Sequence, residues 1–119
     1  MSNNDCLFCS IIDGNGLSGS ILENEEFVAI WDKYPKAPVH ALIIPRLHLE
    51  SLNDIDSMDG DLCKRMLEFI VATADKLQVK EPGYRVITNV GTGGGQVIFH
   101  IHWHLLAGRS VGFDLGEGI

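Results

Sequence analysis

The sequence of 119 residues predicts an α+β domain in which helices pack on an antiparallel sheet of about five strands. Short apolar runs of strand composition stand before and after one long segment of helical periodicity, so strands and helices do not alternate strictly. The sequence shows no linker, charge block or internal repeat. We therefore expect a single domain over residues 1–119.

The first predicted element is a short helix over Cys6–Asp13. Asp5 precedes it as the expected N-cap, because its carboxylate can accept hydrogen bonds from the first free N–H groups of a helix. Gly14 and Gly16 follow, and glycine commonly ends a helix.

The next elements are strands and their connections. Strands are predicted at Ser20–Leu22, Phe27–Trp31 and Val39–Pro45, since each is an apolar or β-branched run beside turn residues. The segment Asp32–Pro38 carries two prolines and is expected to be a loop. One helical turn is expected within Leu49–Ile55.

The strongest helical pattern covers Gly60–Val79, ahead of the breaker Pro82-Gly83. Apolar residues recur there at spacings of three and four, with charged residues largely outside the stripe. The stripe comprises Leu62, Met66, Phe69, Thr73 and Leu77. We expect this face to cover one side of the sheet.

The C-terminal part is predicted to contain two more strands, Tyr84–Asn89 and Ile98–Leu106. Between them Gly91–Gly95 reads GTGGG and is expected to be a loop. The glycine-rich segment Gly108–Ile119 is expected to be irregular.

Composition excludes several classes of protein. Nine basic and sixteen acidic residues give a net charge of −7, which argues against a nucleic-acid partner. No apolar run approaches the roughly 20 residues of a membrane-spanning helix, and the first residues lack secretory-signal features. Three cysteines are too few for a disulfide framework, so we expect a cytoplasmic location and no membrane partner.

Three of the five histidines, His100, His102 and His104, alternate along the last predicted strand and would project from one side of it. Three interpretations are open. The histidines could form a polar stripe on an exposed sheet face, or ligate a metal. Alternatively, one imidazole could act as a nucleophile and another as a proton donor or acceptor.

The glycine run before these histidines favours the third interpretation. Glycine loops expose backbone N–H groups that can surround a phosphate, although such runs also serve as plain turns. Next to three histidines, the loop indicates phosphorus chemistry.

The histidine pattern resembles the His-φ-His-φ-His-φ-φ motif of the histidine triad (HIT) superfamily, where φ is apolar. Three further segments are similar to its Hint branch, in the same order along the chain. They are the N-terminal helix (DCLFCSII), Asp32–His48 (DKYPKAPVHALIIPRLH) and Asn89–Arg109 (NVGTGGGQVIFHIHWHLLAGR). The likeness therefore spans nearly the whole sequence.

This resemblance implies a homodimer of the HIT fold that hydrolyses purine nucleoside 5′-phosphoramidates without a catalytic cofactor. In the triad, His102 would be the nucleophile, His104 would contact the phosphate and assist proton transfer, and His100 would be the first member. His40 would help to orient His102.

The resemblance also implies a nucleotide site. Asp32 would accept hydrogen bonds from the ribose hydroxyls, and Asn89 with the backbone at Gly95 and Gln96 would hold the phosphate. The base pocket would be lined by Phe8, Ile11 and Ile30.

A structural zinc site is a further implication. The spacing Cys6-x-x-Cys9 alone is weak evidence for zinc, and two buried helix cysteines are the alternative. Some bacterial relatives of this type combine such cysteines with two histidines, which here are His48 and His100. Four protein ligands would make a closed site.

The sequence departs from the family pattern at Val97, where many relatives carry serine, at Lys33, and in the tail after Gly108. Lys33 would favour extra negative charge on the ligand. The alternatives are a dinucleoside polyphosphate hydrolase, a nucleotide-binding regulatory module with little catalysis, and a metalloenzyme with three histidine ligands.

Overall fold

Helix α1 (Leu7–Asp13) and helix α2 (Gly60–Lys76) flank the sheet in a computed structural model that describes residues 6–14 and 19–108. The strands are β1 (Leu22–Glu23), β2 (Phe27–Trp31), β3 (Val39–Pro45), β4 (Arg85–Ile87) and β5 (Trp103–Ala107). They form one antiparallel sheet in the order β1-β2-β3-β5-β4. The predicted α+β class and antiparallel sheet are thereby confirmed, while the single domain over residues 1–119 stays a prediction.

The two faces of the sheet carry different layers. Alternate residues of β2 and β3, among them Phe27 and Ile43, pack with Met66 and Phe69 of α2 in the larger apolar core. The opposite face carries α1. Its smaller core is formed by Phe8, Val28, Leu42 and Ile44.

Strand β3 places a histidine on the α1 face. His40 shares the side of β3 that carries Leu42, and His104 of β5 lies opposite Leu42 in the register. The sheet therefore brings His40 and His104 together on the face away from α2.

The N-terminal helix begins differently from the prediction. Its N-cap is Cys6, whose Sγ accepts a hydrogen bond from the backbone N–H of Cys9 at 3.3 Å. Asp5 is therefore not the cap, and both Asp5 and Gly16 lie outside the described residues. Gly14 ends the helix as predicted.

Helix α2 ends three residues before the predicted end because of its own backbone. Gln78 adopts a left-handed conformation with φ 61°. The N–H of Gln78 donates to the carbonyl of Asp75, and that of Val79 donates to Ala74, both at 3.0 Å. This is a Schellman-type end, so the Pro82-Gly83 breaker comes too late to set it.

The last strand is shorter than predicted, and this changes the environment of the triad. Strand β5 begins at Trp103, so His100 and His102 precede it. Pro45 at the end of β3 has no N–H to donate, and its carbonyl lies 2.7 Å from Nε2 of His100. The backbone N–H of Ile101 instead donates to the carbonyl of Leu49 at 2.7 Å.

The remaining boundaries differ by a few residues. Strands β2 and β3 have the predicted bounds, whereas the first strand is shifted to Leu22–Glu23 and the fourth is shortened to Arg85–Ile87. The predicted helical turn is a 3₁₀ segment at Leu52–Ser57, capped by Ser51, and the glycine loop contains another at Thr92–Gly94. Neither described helix combines the length and apolar character needed to cross a bilayer.

Candidate active site and metal centre

A cavity of about 600 Å³ opens on the α1 face of the sheet. Its walls include all seven residues predicted to bind the nucleotide and three of the four predicted catalytic histidines. They are Phe8, Ile11, Ile30, Asp32, Asn89, Gly95, Gln96, His40, His102 and His104. The remaining predicted catalytic residue, His100, is fully buried and does not line the cavity.

His102 is oriented by the backbone. Its Nδ1 lies 2.7 Å from the carbonyl oxygen of His100, which can only accept, so Nδ1 carries the proton. In the neutral ring Nε2 is then unprotonated. The ring is buried, and Phe8 packs against it edge-on at 4.9 Å between centroids. His102 therefore has the tautomer of a nucleophile.

His40 is paired with His104 and not with His102. The backbone N–H of Lys36 donates to Nδ1 of His40 at 3.0 Å, so the proton of neutral His40 is on Nε2. That Nε2 lies 2.9 Å from Nδ1 of His104 and 3.3 Å from Oδ2 of Asp32. By donating to Nδ1, His40 leaves the proton of neutral His104 on Nε2. His40 is expected to help orient His102; its hydrogen bond goes to His104 instead, and a role in orienting His102 stays a prediction.

Burial lowers the pKa of these imidazoles. Loss of hydration is the main cause for His40, His102 and His104, and it lowers the pKa of His104 to about 4, assisted by the neighbouring His102 and His40. The Asp32 carboxylate opposes the shift in all three. The rings are thus neutral at pH 7, which leaves Nε2 of His102 unprotonated.

Asp32 lies at the start of the loop after β2. Its Oδ1 accepts a hydrogen bond from the backbone N–H of Tyr34 at 2.7 Å, and its side chain is 17% exposed. A carboxylate has about four acceptor positions. Asp32 therefore retains capacity for ligand hydroxyls.

The glycine loop is held by its own hydrogen bonds. The backbone N–H groups of Gly95 and Gln96, predicted to hold phosphate, donate within the loop to Thr92 and Gly91. In the described part of the chain, no acceptor meets the backbone N–H of Val97. The side chain of Val97 is 84% exposed and lines the cavity, so its N–H is a donor that remains available at the cavity.

The side chains of Asn89 and Gln96 fix this loop. Nδ2 of Asn89 donates to the carbonyl of Gly94 at 2.8 Å, which leaves its second hydrogen for a ligand. Gln96 is buried, accepts from the N–H of Gly91 and donates to the carbonyl of Glu50. Gln96 therefore links the glycine loop to the segment that contains Glu50.

Sequence reasoning missed several cavity residues. Leu42 and Ile98 extend the apolar wall, and Tyr34 and Lys36 lie at the mouth with Lys33. The signal for Leu42 was present, since it shares a strand face with His40. The mouth residues belong to a loop whose path no periodicity predicts.

The two N-terminal cysteines lie close to two histidines. The four donor atoms are Sγ of Cys6 and Cys9 and Nδ1 of His48 and His100, and all lie within 4.8 Å of one another. Nδ1 of His100 is 3.3 Å from Cys6 Sγ, 3.4 Å from Cys9 Sγ and 3.1 Å from Nδ1 of His48. Cys9 Sγ is 3.2 Å from Nδ1 of His48. The cluster could hold a metal ion.

The donor chemistry fits zinc. In a tetrahedral Cys₂His₂ site, ligand atoms lie about 3.3–3.8 Å apart, close to the observed spacings. Nε2 of His100 donates to the carbonyl of Pro45, so its Nδ1 lone pair faces the sulfur atoms. Burial raises the pKa of the Cys9 thiol to about 12. A metal would therefore have to displace a proton there.

A second group of donors, Asp32, His40 and His104, is close enough to hold an ion by distance alone. Because the Lys36 N–H occupies Nδ1 of His40, the Nε2 that faces this group carries a proton. The group is therefore a hydrogen-bond chain. Among the described residues, the three triad histidines form no donor cluster of their own.

Comparison with known proteins identifies the family. A model of the HIT domain matches residues 17–111. An uncharacterized HIT-like protein of Helicobacter pylori (strain ATCC 700392 / 26695) is 42% identical over 102 residues, covering 86% of this chain and 95% of that protein. A purine nucleoside phosphoramidase of Escherichia coli (strain K12) is 34% identical over 108 residues, covering 91% of each chain.

Comparison with solved structures supports the same family. A HIT family hydrolase from Legionella pneumophila Philadelphia 1 superposes with a TM-score of 0.87 at 38% identity, covering 94% of this chain and all of that one. The matched segment includes both the glycine loop and the three alternating histidines. The chain therefore belongs to the HIT domain family.

Proposed function

We propose that this protein hydrolyses purine nucleoside 5′-phosphoramidates to a nucleoside monophosphate and an amine through a nucleotidyl group on His102. The observation that best supports the proposal is that two histidines in one cavity hold opposite tautomers. His102 offers an unprotonated Nε2, whereas His104 carries a proton on Nε2. The identity to the E. coli protein named as a purine nucleoside phosphoramidase supports this substrate class.

In the first step, Nε2 of His102 forms a bond to the α-phosphorus and the P–N bond breaks. The amine leaves with that electron pair and needs one proton. His104 can donate a hydrogen bond from its Nε2–H to the leaving nitrogen, because His40 holds its proton on that atom. The amine takes its proton from solvent, assisted by that hydrogen bond, and His104 stays neutral.

In the second step, water attacks the phosphorus of the nucleotidyl-histidine. The oxygen joins phosphorus, the bond to Nε2 of His102 breaks, and the water proton is released to solvent, which balances the proton taken up in the first step. Nucleoside monophosphate is released and both histidines return to their starting state. The two steps consume one water in total.

The cavity walls suit a nucleotide. Phe8, Ile11 and Ile30 offer an apolar surface for a base, and Asp32 offers acceptors for the ribose. For the phosphate we propose Nδ2 of Asn89 and the backbone N–H of Val97, because the N–H groups of Gly95 and Gln96 are already used.

We further propose that Cys6, Cys9, His48 and His100 hold zinc. With four protein ligands the ion would be structural, linking the start of α1 to the segments that follow β3 and precede β5, and it would take no part in either chemical step. Homodimer formation, a cytoplasmic location and the absence of nucleic-acid and membrane partners stay predictions.

A dinucleoside polyphosphate hydrolase is the second candidate. Lys33 and Lys36 both line the cavity beside Asp32, in a protein of net charge −7. Two cations at the mouth favour a ligand with a second phosphate. Diadenosine polyphosphates hydrolysed faster than the phosphoramidate would favour this candidate.

The test is AMP release from adenosine 5′-phosphoramidate by the wild type and by His102→Ala. We expect His102→Ala to lose about 10³-fold or more in kcat. The exposed α2 variant Lys64→Ala serves as the control with unchanged activity. Equal release by wild type and His102→Ala would overturn the mechanism, and AMP binding with no turnover would identify a regulatory module.

A further inference from the structure

His100 belongs to two sites at once. Its ring lies in the Cys₂His₂ cluster, where Nδ1 is within 3.4 Å of both sulfur atoms. Its backbone carbonyl accepts the hydrogen bond from Nδ1 of His102 at 2.7 Å. The residue that would ligate the metal therefore also sets the tautomer of the proposed nucleophile.

Phe8 makes a second connection between the two sites. It stands between Cys6 and Cys9 on α1, is buried, and lines the cavity. Its ring centroid is 4.9 Å from that of His102 and 6.1 Å from that of His100. A displacement of the two cysteines would move this wall of the cavity.

The cluster is also the polar anchor of the N-terminal helix. Among residues 6–14, the hydrogen-bonding contacts with the rest of the described chain run through Sγ of Cys6 and Sγ of Cys9. The other contacts of α1 are apolar, chiefly those of Phe8 and Ile11 with Val28 and Leu42. A seven-residue helix is too short to be stable alone.

We propose that His100 is a positioning residue that couples metal binding in the Cys6, Cys9, His48 and His100 cluster to nucleotide binding in the cavity. A bound metal fixes the His100 ring and α1, and so fixes His102 and the Phe8 wall. Because coupling between two binding sites is reciprocal, a nucleotide must tighten metal binding by the factor by which metal tightens nucleotide binding. The proposal rests on the nucleotide site and zinc cluster proposed above.

The first experiment measures both directions. AMP affinity is measured by calorimetry on the zinc-loaded and the chelator-stripped full chain, and zinc affinity by chelator competition with and without saturating AMP. We expect the same factor in both, about fivefold or more. Equal AMP affinity in the two forms, or failure to bind zinc, would overturn the coupling and leave the hydrolase proposal intact.

The second experiment needs no nucleotide, so it decides the coupling even if AMP does not bind. The Nδ1–H proton of His102 is followed by NMR in ¹⁵N-histidine-labelled protein. We expect its resonance to shift or exchange faster when zinc is removed, while amide signals of Phe69 and Ile70 in α2 persist. An unchanged His102 resonance, or loss of the α2 signals as well, would overturn a specific link.

Two variants serve as a matched pair. Cys6→Ser removes one sulfur ligand and should reproduce the stripped state in both experiments. Cys63→Ser removes a cysteine outside the cluster, whose Sγ lies 3.7 Å from the carbonyl of Met58, and should behave as wild type. Equal effects from the two variants would contradict the proposal.

Discussion

The imidazoles of His40 and His104 are joined across adjacent strands, with Nε2 of His40 2.9 Å from Nδ1 of His104. The bond has a direction, because the backbone N–H of Lys36 occupies the other nitrogen of His40. A main-chain amide thus fixes the tautomers of two rings in succession. In the proposed mechanism this keeps a proton on Nε2 of His104.

Substitution of His40 should therefore act through His104. We expect His40→Ala to lower kcat for adenosine 5′-phosphoramidate by about 10²-fold with a smaller change in KM, the typical contribution of a positioned acid–base group. His40→Gln should recover part of the loss, because its amide can donate to Nδ1 of His104. Steady-state kinetics of both variants checks this, and wild-type kcat in His40→Ala would refute this role of His40.

Burial of neutral histidines makes stability depend on pH. The pKa of His104 is lowered by burial from 6.5 to about 4, so the unfolded state binds its proton at higher pH than the folded state. As far as His104 is concerned, the free energy of unfolding is therefore highest above about pH 6.5 and decreases as the pH falls towards 4. Chemical denaturation at a series of pH values should show it.

The control for that series is His104→Gln, which removes the titrating group. Its stability should change less between pH 6.5 and 4 than that of the wild type. Parallel pH profiles for the two proteins would contradict the assignment of the shift to His104.

Trp103 is expected to tolerate replacement by phenylalanine. Its Nε1 is buried and has no hydrogen-bond partner within the described part of the chain. An unsatisfied buried donor costs about 1–3 kcal/mol, and its removal in Trp103→Phe offsets the smaller apolar surface that phenylalanine buries. We expect a nearly unchanged free energy of unfolding, whereas Leu105→Ala in the same strand should lose about 2–5 kcal/mol.

Urea denaturation of the two variants provides the comparison. If Trp103→Phe were destabilised as much as Leu105→Ala, the indole N–H must have a partner, and the prediction would fail.

Replacement of Val97 by serine should increase the affinity for the phosphoramidate. Val97 is 84% exposed at the cavity edge, so loss of its side chain costs little stability. A hydroxyl there would add one donor for the phosphate, and one hydrogen bond corresponds to about 2- to 10-fold in KM. Phosphoramidate kinetics of Val97→Ser would show this, and Val97→Ala should lack the gain.

The elements with strong periodicity were predictable from sequence, whereas the ends set by single contacts were not. The bounds of β2 and β3 follow from their apolar runs. The left-handed Gln78 that ends α2 has no sequence signal comparable to glycine. Strand β5 begins late because Pro45 interrupts the ladder, and that requires knowledge of which strand lies beside it.

The sequence predicted which residues of the candidate site lie together better than it predicted how they contact one another. All seven expected nucleotide residues line the cavity, and the four expected metal ligands form one cluster. The pairing of His40 with His104 depends on strand register. The occupied N–H groups of Gly95 and Gln96 depend on the path of the glycine loop. Neither register nor loop path is encoded by a local pattern.

The proposed nucleotidyl group on His102 is tested most directly by trapping it during turnover of adenosine 5′-phosphoramidate. Protein quenched in the first turnovers with a denaturant at alkaline pH is digested and measured by mass spectrometry. The expected result is one nucleotidyl group on the peptide that contains His102, and none in His102→Ala. Release of AMP at the full rate with no modified peptide, or modification of another histidine, would contradict it.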